Sequence, residues 1–366
     1  MSGPDAYGGA GVERVLVIGH GYAGSRFVAA IEHLIASGRP LVMAGICDRN
    51  GDRLPDKVPG FTDIGVALRS CAPTVICVTV NEADHVDTYR ALTGYRRSLV
   101  LSEKPLTADS GDVAAAVAAL SPHEMAMNLI ERYSPVVREF RQWLAERPEL
   151  HLVRVESFWG KHRIGDARPT IGVLSEIVHP IDLVRYLFPG NEFRWRHGHG
   201  FRSDFSPHSP AILDSLDVVG DFGQAPIILH SSYTWAHRLR TIWIYLESPN
   251  TGLIRAELVF DTPHWDCDRL DISTIDRNGR YESTLRQSVS VTALPEAIRG
   301  IGKLVEFVDI AVRQWRDGVL RDDIVDLHSA VQLQETTDRI ERVLDLTMAP
   351  TSYYPPRERA ESHGVR

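Results

Sequence analysis

Three titratable side chains, Glu176, His179 and Asp182, recur at a spacing of three residues. In a helix this spacing places them close to one face, and apolar residues fill the positions between them. A histidine has an ordinary pKa of about 6.5 and can carry a proton, while a neighbouring carboxylate can orient it or bind a hydroxyl group. The stripe is typical of a helix that lines a cleft, and also of an amphipathic helix with a solvated acidic face.

A lysine with possible catalytic use, Lys104, stands in the segment Glu103–Pro105, directly after the apolar run at residues 98–101. Ligands of open parallel sheets bind at the carboxyl ends of the strands, where such a lysine would point. The following proline favours an extended lysine backbone. Its ammonium could hold a developing alkoxide, or act as a base if burial lowers its pKa. A solvated turn would show the same tripeptide.

A glycine-rich turn precedes both segments. Gly19, Gly21 and Gly24 form a G-x-G-x-x-G that follows an apolar run and opens a helical pattern. The first glycine permits a tight turn, the second lets a pyrophosphate approach the backbone, and the third lets helix and strand pack closely. This context predicts a dinucleotide-binding site.

The next apolar run ends at Asp48, 24 positions after Gly24. A carboxylate at about this distance accepts hydrogen bonds from the ribose and repels a 2′-phosphate, which predicts NAD as the cofactor. The adjacent Arg49 could stack on adenine or pair with a 2′-phosphate. NADP therefore remains an alternative.

The first third of the chain has a β-α-β order. Helical patterns separate short apolar runs at residues 14–19, 40–47, 75–80, 98–101 and 124–130. This order predicts an α/β Rossmann domain, a doubly wound parallel sheet with helices on both faces.

The pattern changes after about residue 132. Residues 151–159, 241–247 and 253–260 alternate with period 2, and two long helical patterns close the chain. This predicts an α+β domain on a large, mostly antiparallel sheet. The predicted organisation is a flexible leader, a dinucleotide-binding domain, a substrate-binding and oligomerisation domain, and a loose tail, at residues 1–12, 13–130, 131–348 and 349–366.

Composition excludes several classes of function. The net charge is −8, and the sequence has no run of basic residues, which argues against nucleic acid as a partner. No run approaches the roughly 18 apolar residues of a membrane span, and the first residues lack the order of a signal peptide, so we expect a cytoplasmic protein. Four cysteines without C-x-x-C spacing predict buried thiols and no metal site.

Taken together, VLVIGHGYAG, CDRN, VTVN, SEKPLT, MNLIERYSP and GVLSEIVHPIDLVRYL resemble the glucose–fructose oxidoreductase / inositol dehydrogenase (Gfo/Idh/MocA) family. The likeness covers the first half closely and the strand-rich half in outline. It implies that Lys104, His179 and Asp182 are catalytic. It also implies cofactor contacts from the glycine turn and from Tyr22, Ala23, Asp48, Arg49, Thr79, Asn81, His85, Glu103, Lys104 and Asn128.

Three departures from the family pattern concern the site. The family often has Asp four residues before the histidine, where this chain has Ser175 followed by Glu176. The segment Thr79–His85 is one residue longer than the family's T-P-N-x-x-H. The segment from Asn128 to Arg132 is longer than the family's N-x-R, and the resemblance places Arg132 near the nicotinamide and substrate.

Substrate contacts are predicted from Trp159 and Lys161, at the end of the first strand of the second domain, and from Arg132 and Glu176. Aromatic rings stack on sugar faces, and Lys or Arg binds phosphate. An ordinary charged sheet rim would have the same residues.

These features predict an NAD(P)-dependent oxidoreductase that transfers a hydride to or from a secondary alcohol or ketone of a sugar, cyclitol or nucleotide-sugar. One alternative function is a reductase of C=N or C=C bonds, as in imine or biliverdin reductases, but such an enzyme would not need the His179 and Asp182 pair. A second alternative is a non-catalytic dinucleotide-binding sensor or regulator, but such a protein could lose Lys104. We also expect a homodimer or homotetramer, since one sheet face lacks helices to cover it.

Overall fold

The computed structural model describes residues 11–206, 211–248, 252–276, 278–291, 294–321, 323–348 and Tyr353. Most of the predicted leader (1–12) and tail (349–366) therefore lies outside the described residues. Within the described ones, the backbone amide of Tyr353 donates to Asp204 Oδ1 at 2.8 Å.

A six-stranded parallel sheet forms the core of the first part of the chain. Its order is β3-β2-β1-β4-β5-β6, so the chain reverses direction across the sheet between β1 and β4. Such a reversal opens a crevice at the carboxyl ends of the strands. The strands are β1 (Glu13–Ile18), β2 (Leu41–Cys47), β3 (Gly60–Phe61), β4 (Val75–Val78), β5 (Leu99–Ser102) and β6 (Glu124–Met127). The predicted Rossmann fold is confirmed.

Helices connect these strands, as the β-α-β order requires. They are α1 (Tyr22–Ala36), α2 (Ile64–Cys71), α3 (His85–Ala91) and α4 (Val113–Leu120). The start of α2 is set by Asp63, whose Oδ1 accepts a hydrogen bond from the Val66 amide at 2.7 Å. The predicted strand at residues 124–130 is shorter in the structure, because Ile130–Tyr133 winds into a 3₁₀ turn.

The later part of the chain builds a nine-stranded mixed sheet in the order β14-β13-β12-β11-β7-β10-β9-β8-β15. Within this second sheet, the β7–β10 and β8–β15 pairings are the only parallel ones among the described strands. The strands are β7 (His151–His162), β8 (Phe193–Ser203), β9 (Ile212–Phe222), β10 (Ala225–Ser232), β11 (Thr234–Ser248), β12 (Gly252–Val259), β13 (Cys267–Ile275), β14 (Tyr281–Val291) and β15 (Leu344–Met348). The predicted large, mostly antiparallel sheet is confirmed.

Two helices pack on one face of this sheet, α5 (Pro135–Ala145) and α6 (Leu174–Leu187). Helix α6 is the predicted helix with the titratable stripe, and Glu176, His179 and Asp182 are all buried. The alternative of a solvated acidic face is therefore excluded. Pro180 removes the helical donor to the Glu176 carbonyl.

The chain divides into two compact units, Met1–Ile130 with Ala293–Gln334, and Glu131–Thr292 with Glu335–Arg366. Helix α7 (Gly302–Arg316) falls in the first unit, although the predicted boundary put it in the second. Helix α7 belongs to the first unit because it packs against α1. The rings of Phe307 and Phe27 meet edge to face, with their centroids 6.4 Å apart. The last helix, α8 (Leu327–Val343), spans the division.

The described residues include no helix that is long and apolar enough to cross a membrane.

Candidate functional site

The glycine turn between β1 and α1 has the shape that a dinucleotide requires. Gly19 has a positive φ of 93°, and a Cβ there would lie 2.7 Å from the Val80 backbone nitrogen. A Cβ on Gly24 would lie 1.8 Å from the Gly19 carbonyl oxygen, so helix and turn touch. Gly21 is different, because a Cβ there would meet only Arg53 Nη1, at 3.9 Å. The open side of the turn is therefore at Gly21, where a pyrophosphate would approach.

Asp48 follows β2, and its carboxylate is buried beside this turn. Oδ2 accepts a hydrogen bond from the His20 amide at 2.7 Å, and Oδ1 accepts one from the Asn50 amide at 2.9 Å. Each oxygen keeps a second lone pair, so the group can still accept from a ribose hydroxyl. Arg53 Nη1 lies 3.9 Å from Oδ2.

The adjacent Arg49 does not turn to the glycine loop. It forms an ion pair with Asp84, with Nη2 2.7 Å from Oδ2, and most of its side chain is exposed. Its predicted cofactor contact stays a prediction. The cation at the turn is Arg53, which sequence reasoning missed because it lies in a loop without a motif.

The segment after β4 supports the turn from the other side. The Thr79 hydroxyl donates to the Gly19 carbonyl at 2.7 Å, and Asn81 is exposed. His85 is fully buried, and its Nδ1 lies 2.8 Å from the Pro105 carbonyl oxygen. Burial lowers the pKa of His85 below its usual value, so the ring is neutral at neutral pH. His85 thus supports the turn that carries Lys104, and its contact with the cofactor stays a prediction.

The first two residues of α1 were also predicted to contact the cofactor. Tyr22 is exposed, and Arg26 lies over its ring and donates to its hydroxyl at 2.8 Å. Ala23 is half-buried.

Glu103 and Lys104 follow β5, and Asn128 follows β6, so all three stand at the same carboxyl edge of the sheet. Asn128 Nδ2 donates to Glu103 Oε1 at 2.7 Å. Its Oδ1 is buried, and no described residue bonds it. Lys104 is half-buried. The residues of this unit fit a dinucleotide. They supply a glycine turn that is open at Gly21, the carboxylate of Asp48 after the second strand, and the amide oxygen of Asn128, which can accept a hydrogen bond.

A buried cluster of charges occupies the second unit around Arg240 of β11. Its Nη2 donates to Glu176 Oε1 at 2.8 Å, its Nη1 donates to Asp261 Oδ2 at 2.6 Å, and Nη1 lies 3.6 Å from Glu131 Oε1. Burial alone would lower the pKa of Arg240, but the carboxylates of Glu176, Asp261 and Glu131 raise it above its usual value. The guanidinium therefore stays charged inside the unit.

His179 of α6 lies at the edge of this cluster. Its Nδ1 is 2.7 Å from Glu131 Oε2, although the oxygen lies off the direction of a hydrogen bond from the ring. The ring stacks on Trp159 of β7, with centroids 5.7 Å apart and planes 19° apart. Trp159 is fully buried, and its indole N–H has no partner among the described residues. An anion and an aromatic plane thus fix the histidine from two sides.

Asp182, one turn further along α6, forms an ion pair with Arg132. Arg132 donates to both of its oxygens, from Nε at 2.7 Å and from Nη2 at 2.5 Å. Burial alone would lower the pKa of Arg132, but Asp182 raises it above its usual value. This bidentate pair occupies both oxygens of Asp182, and Glu131 is the carboxylate that lies beside the histidine, so the catalytic role of Asp182 stays a prediction.

Lys161, at the end of β7, is the cluster's connection to solvent. Its side chain is 26% exposed, and its Nζ donates to Glu176 Oε2 at 2.6 Å. Glu176 is 1% exposed and joins Lys161 to Arg240. Ser175, at the position of the family's aspartate, bonds the Tyr233 hydroxyl at 3.0 Å.

The structure thus brings together the predicted residues Glu176, His179, Trp159 and Lys161. Sequence reasoning missed Glu131, Asp261 and Arg240 as members of this cluster. One signal was available for Glu131, since it directly precedes Arg132 and lies in the segment that is longer than the family's N-x-R. Asp261 lies just after β12 and belongs to no recognisable motif, so no signal in the sequence pointed to it.

The Gfo/Idh/MocA family model, described as an oxidoreductase family with an NAD-binding Rossmann fold, matches residues 13–129. The resemblance read from the sequence is thereby confirmed over the N-terminal domain, as is the class of NAD-binding oxidoreductase. A comparison with curated proteins finds no match.

Solved structures share the whole fold. A UDP-N-acetylglucosamine 3-dehydrogenase (GnnA) from Acidithiobacillus ferrooxidans has a TM-score of 0.68 at 16% identity, over 91% of this chain and 97% of that one. A 3-ketoreductase from Actinomadura kijaniata, solved with TDP-benzene and NADP, has a TM-score of 0.70 at 17% identity, over 92% of this chain and 99% of that one. A protein of gentamicin A biosynthesis (GenD2), solved with NAD, has a TM-score of 0.64 at 18% identity, over 93% and 97%. At identities of 16–18%, this similarity establishes the fold of the chain alone.

Arg240→Met tests whether the guanidinium holds the cluster together. The substitution leaves three buried carboxylates without their main cation, so we expect a loss of about 3–5 kcal/mol in the free energy of unfolding, measured with urea. The loss should be larger at pH 8 than at pH 5, because protonation of the carboxylates at low pH relieves their repulsion.

Arg196→Met is the matched control. Arg196 is exposed and pairs with Asp221 at 2.6 Å, so its loss should cost less than about 1 kcal/mol. Equal losses for the two variants, or a loss for Arg240→Met that does not change with pH, would contradict the assignment.

Proposed function

We propose that this chain, whose N-terminal domain is that of the Gfo/Idh/MocA oxidoreductases, is an NAD(P)-dependent dehydrogenase or ketoreductase. Its substrate would be a secondary alcohol or ketone of a sugar, cyclitol or nucleotide-sugar. The observation that carries the proposal is His179, a histidine held inside the protein by Glu131 and Trp159. Alcohol oxidation needs a group that takes the hydroxyl proton, whereas C=N or C=C reduction and dinucleotide sensing do not need this arrangement.

His179 is the proposed proton carrier. A carboxylate 2.7 Å from Nδ1 favours the tautomer that has its proton on Nδ1, which leaves Nε2 as the base. The stacked Trp159 limits rotation of the ring. In the ketone-reducing direction the same nitrogen would return the proton.

Lys104 is proposed as the second catalytic group. Its place after β5, at the carboxyl edge of the sheet, is where an ammonium can hold a developing alkoxide. When bound, the nicotinamide supplies the hydride acceptor or donor. Asp182 remains proposed as part of the machinery, with the role of fixing Arg132, and through it the position of a guanidinium for the substrate.

A nucleotide-linked sugar is the first substrate class to test. Two of the similar structures are a UDP-N-acetylglucosamine 3-dehydrogenase and a 3-ketoreductase solved with a TDP ligand. Lys161 is partly exposed and could bind a phosphate or a hydroxyl. Trp159 is fully buried, which makes it a support for His179 rather than a stacking surface for a sugar.

A homo-oligomer is proposed through the sheet face opposite α5 and α6. On this face Phe158, Trp235 and Trp243 are partly exposed, and the ring centroid of Phe158 lies 6.5 Å from that of Trp235 and 5.5 Å from that of Trp243. Ion pairs surround them, including Arg255 with Glu257. An aromatic centre with a charged rim fits a second copy of the same chain.

Asp48→Asn tests the cofactor site. The substitution removes the negative charge that repels a 2′-phosphate, so we expect NADH to bind at least about tenfold more weakly and NADPH to bind equally or more tightly. Nicotinamide fluorescence measures both. Asp52→Asn, an exposed aspartate four residues along the chain, should change neither. Unchanged binding of both cofactors to Asp48→Asn would exclude the proposed ribose contact.

Glu131→Gln tests the positioning of His179 independently of any substrate. Glutamine can donate a hydrogen bond to Nδ1, so we expect the wild-type Nδ1–H tautomer to convert to Nε2–H. The ¹⁵N shifts of labelled histidines report the tautomer, with His179 assigned through His179→Gln. Glu139→Gln is the control, since Glu139 bonds Ser288 of β14 instead. An Nε2–H tautomer in the wild type would rule the role out.

Trp243→Arg tests association. Light scattering after size exclusion should give a dimer or tetramer for the wild type and a smaller species for the variant, because a charge at the centre of the interface is costly to bury. Glu32→Arg, an exposed position on α1, should keep the wild-type size. A monomeric wild type would refute the proposal.

A further inference from the structure

A pair of histidines on strand β8 lies outside everything the proposed function uses. The strand reads His197-Gly198-His199-Gly200, so histidines and glycines alternate between its two faces. The glycines face the leucines of β15: a Cβ on Gly198 would lie 2.7 Å from Leu344 Cδ2, and one on Gly200 would lie 2.8 Å from Leu346 Cδ2. Leucine side chains therefore occupy the space that the glycines leave.

This packing sets the register of the edge strand. In the parallel pairing Leu344 lies opposite Gly198, Asp345 opposite His199 and Leu346 opposite Gly200. Because side chains alternate, Asp345 stands on the same face as the two histidines. All three residues are exposed, and one possible ligand atom from each lies within 4.8 Å of the others.

The histidine rings are held in a way that suits metal binding. His199 Nδ1 lies 3.3 Å from the Asp345 carbonyl oxygen, which can accept its proton and leave Nε2 free for a ligand bond. Histidines that bind metals commonly donate their other ring N–H to a carbonyl in this manner. Phe201 stacks on the His199 ring with planes 22° apart, and His197 stands at 78° to it.

We propose that His197, His199 and Asp345 bind a divalent transition-metal ion of the Zn²⁺ class and so fasten β15 to the edge of the sheet. Two imidazole nitrogens and one carboxylate oxygen suit Zn²⁺ and disfavour Mg²⁺, which prefers oxygen ligands. Three protein ligands leave a position for water. The cysteine spacings predicted no metal site, and this one is formed by residues 146 positions apart.

Isothermal titration calorimetry of the untagged, EDTA-treated protein with ZnCl₂ measures the number of Zn²⁺ ions bound per chain and their affinity. We expect one Zn²⁺ per chain and no comparable binding of Mg²⁺. His197→Gln, His199→Gln and Asp345→Asn should each weaken the binding of Zn²⁺ by more than about tenfold. His151→Gln, an exposed histidine on β7, should bind as the wild type does. Because the three positions are exposed, the metal-free variants should unfold at the wild-type temperature.

Hydrogen exchange gives the second readout. Zn²⁺ should slow the exchange of the backbone amides of residues 344–348 in the wild type. In His199→Gln, Zn²⁺ should leave the exchange of these amides unchanged. Three outcomes would overturn the proposal: no Zn²⁺ binding by the wild type, wild-type affinity in any of the three ligand variants, or binding without any effect on the exchange of β15.

Discussion

Carboxylates do not stay ionised in a protein interior unless cations lie beside them, because their desolvation costs several kcal/mol each. The second unit buries Glu131, Glu176 and Asp261 around one guanidinium, that of Arg240. Since whole domains are stable by only about 5–15 kcal/mol, this neutralisation is a condition for the fold of the unit. It is also a condition for the site, because Glu131 lies beside His179, the proposed proton carrier.

The cluster explains why the polar stripe of α6 faces inward. Each member has a partner from another element: Glu176 contacts Lys161 of β7, His179 contacts Glu131, and Asp182 contacts Arg132. A helix with buried charges on one face is stable only when other elements bring the opposite charges to it. The same contacts hold the side chains in place before any substrate arrives, which is the arrangement that lowers the cost of catalysis.

The parallel sheet and the glycine turn of the first unit could be predicted from sequence, because their signals are local, whereas the place of α7 in this unit could not. The glycine turn, the strand that ends at Asp48 and the lysine after the fourth long apolar run each show in a few consecutive residues. The charged cluster could be predicted only in part, since its pairs join residues far apart: Arg132 and Asp182 lie 50 positions apart, and Arg240 and Glu176 lie 64 apart. The spacing on α6 showed which residues share a face, and nothing in it showed which partners they would meet.

The measurement that tests the account most directly is hydride transfer itself, followed by nicotinamide absorbance with nucleotide-linked sugars, polyols and their keto forms. We predict turnover of NAD(H) or NADP(H) by the wild type with a member of these classes. We also predict that His179→Gln keeps its cofactor affinity, and that Lys104→Met and His179→Gln each lose at least about 10²-fold in kcat. Turnover that survives both substitutions, or a wild type that binds NADH and turns over imines in place of alcohols and ketones, would contradict it.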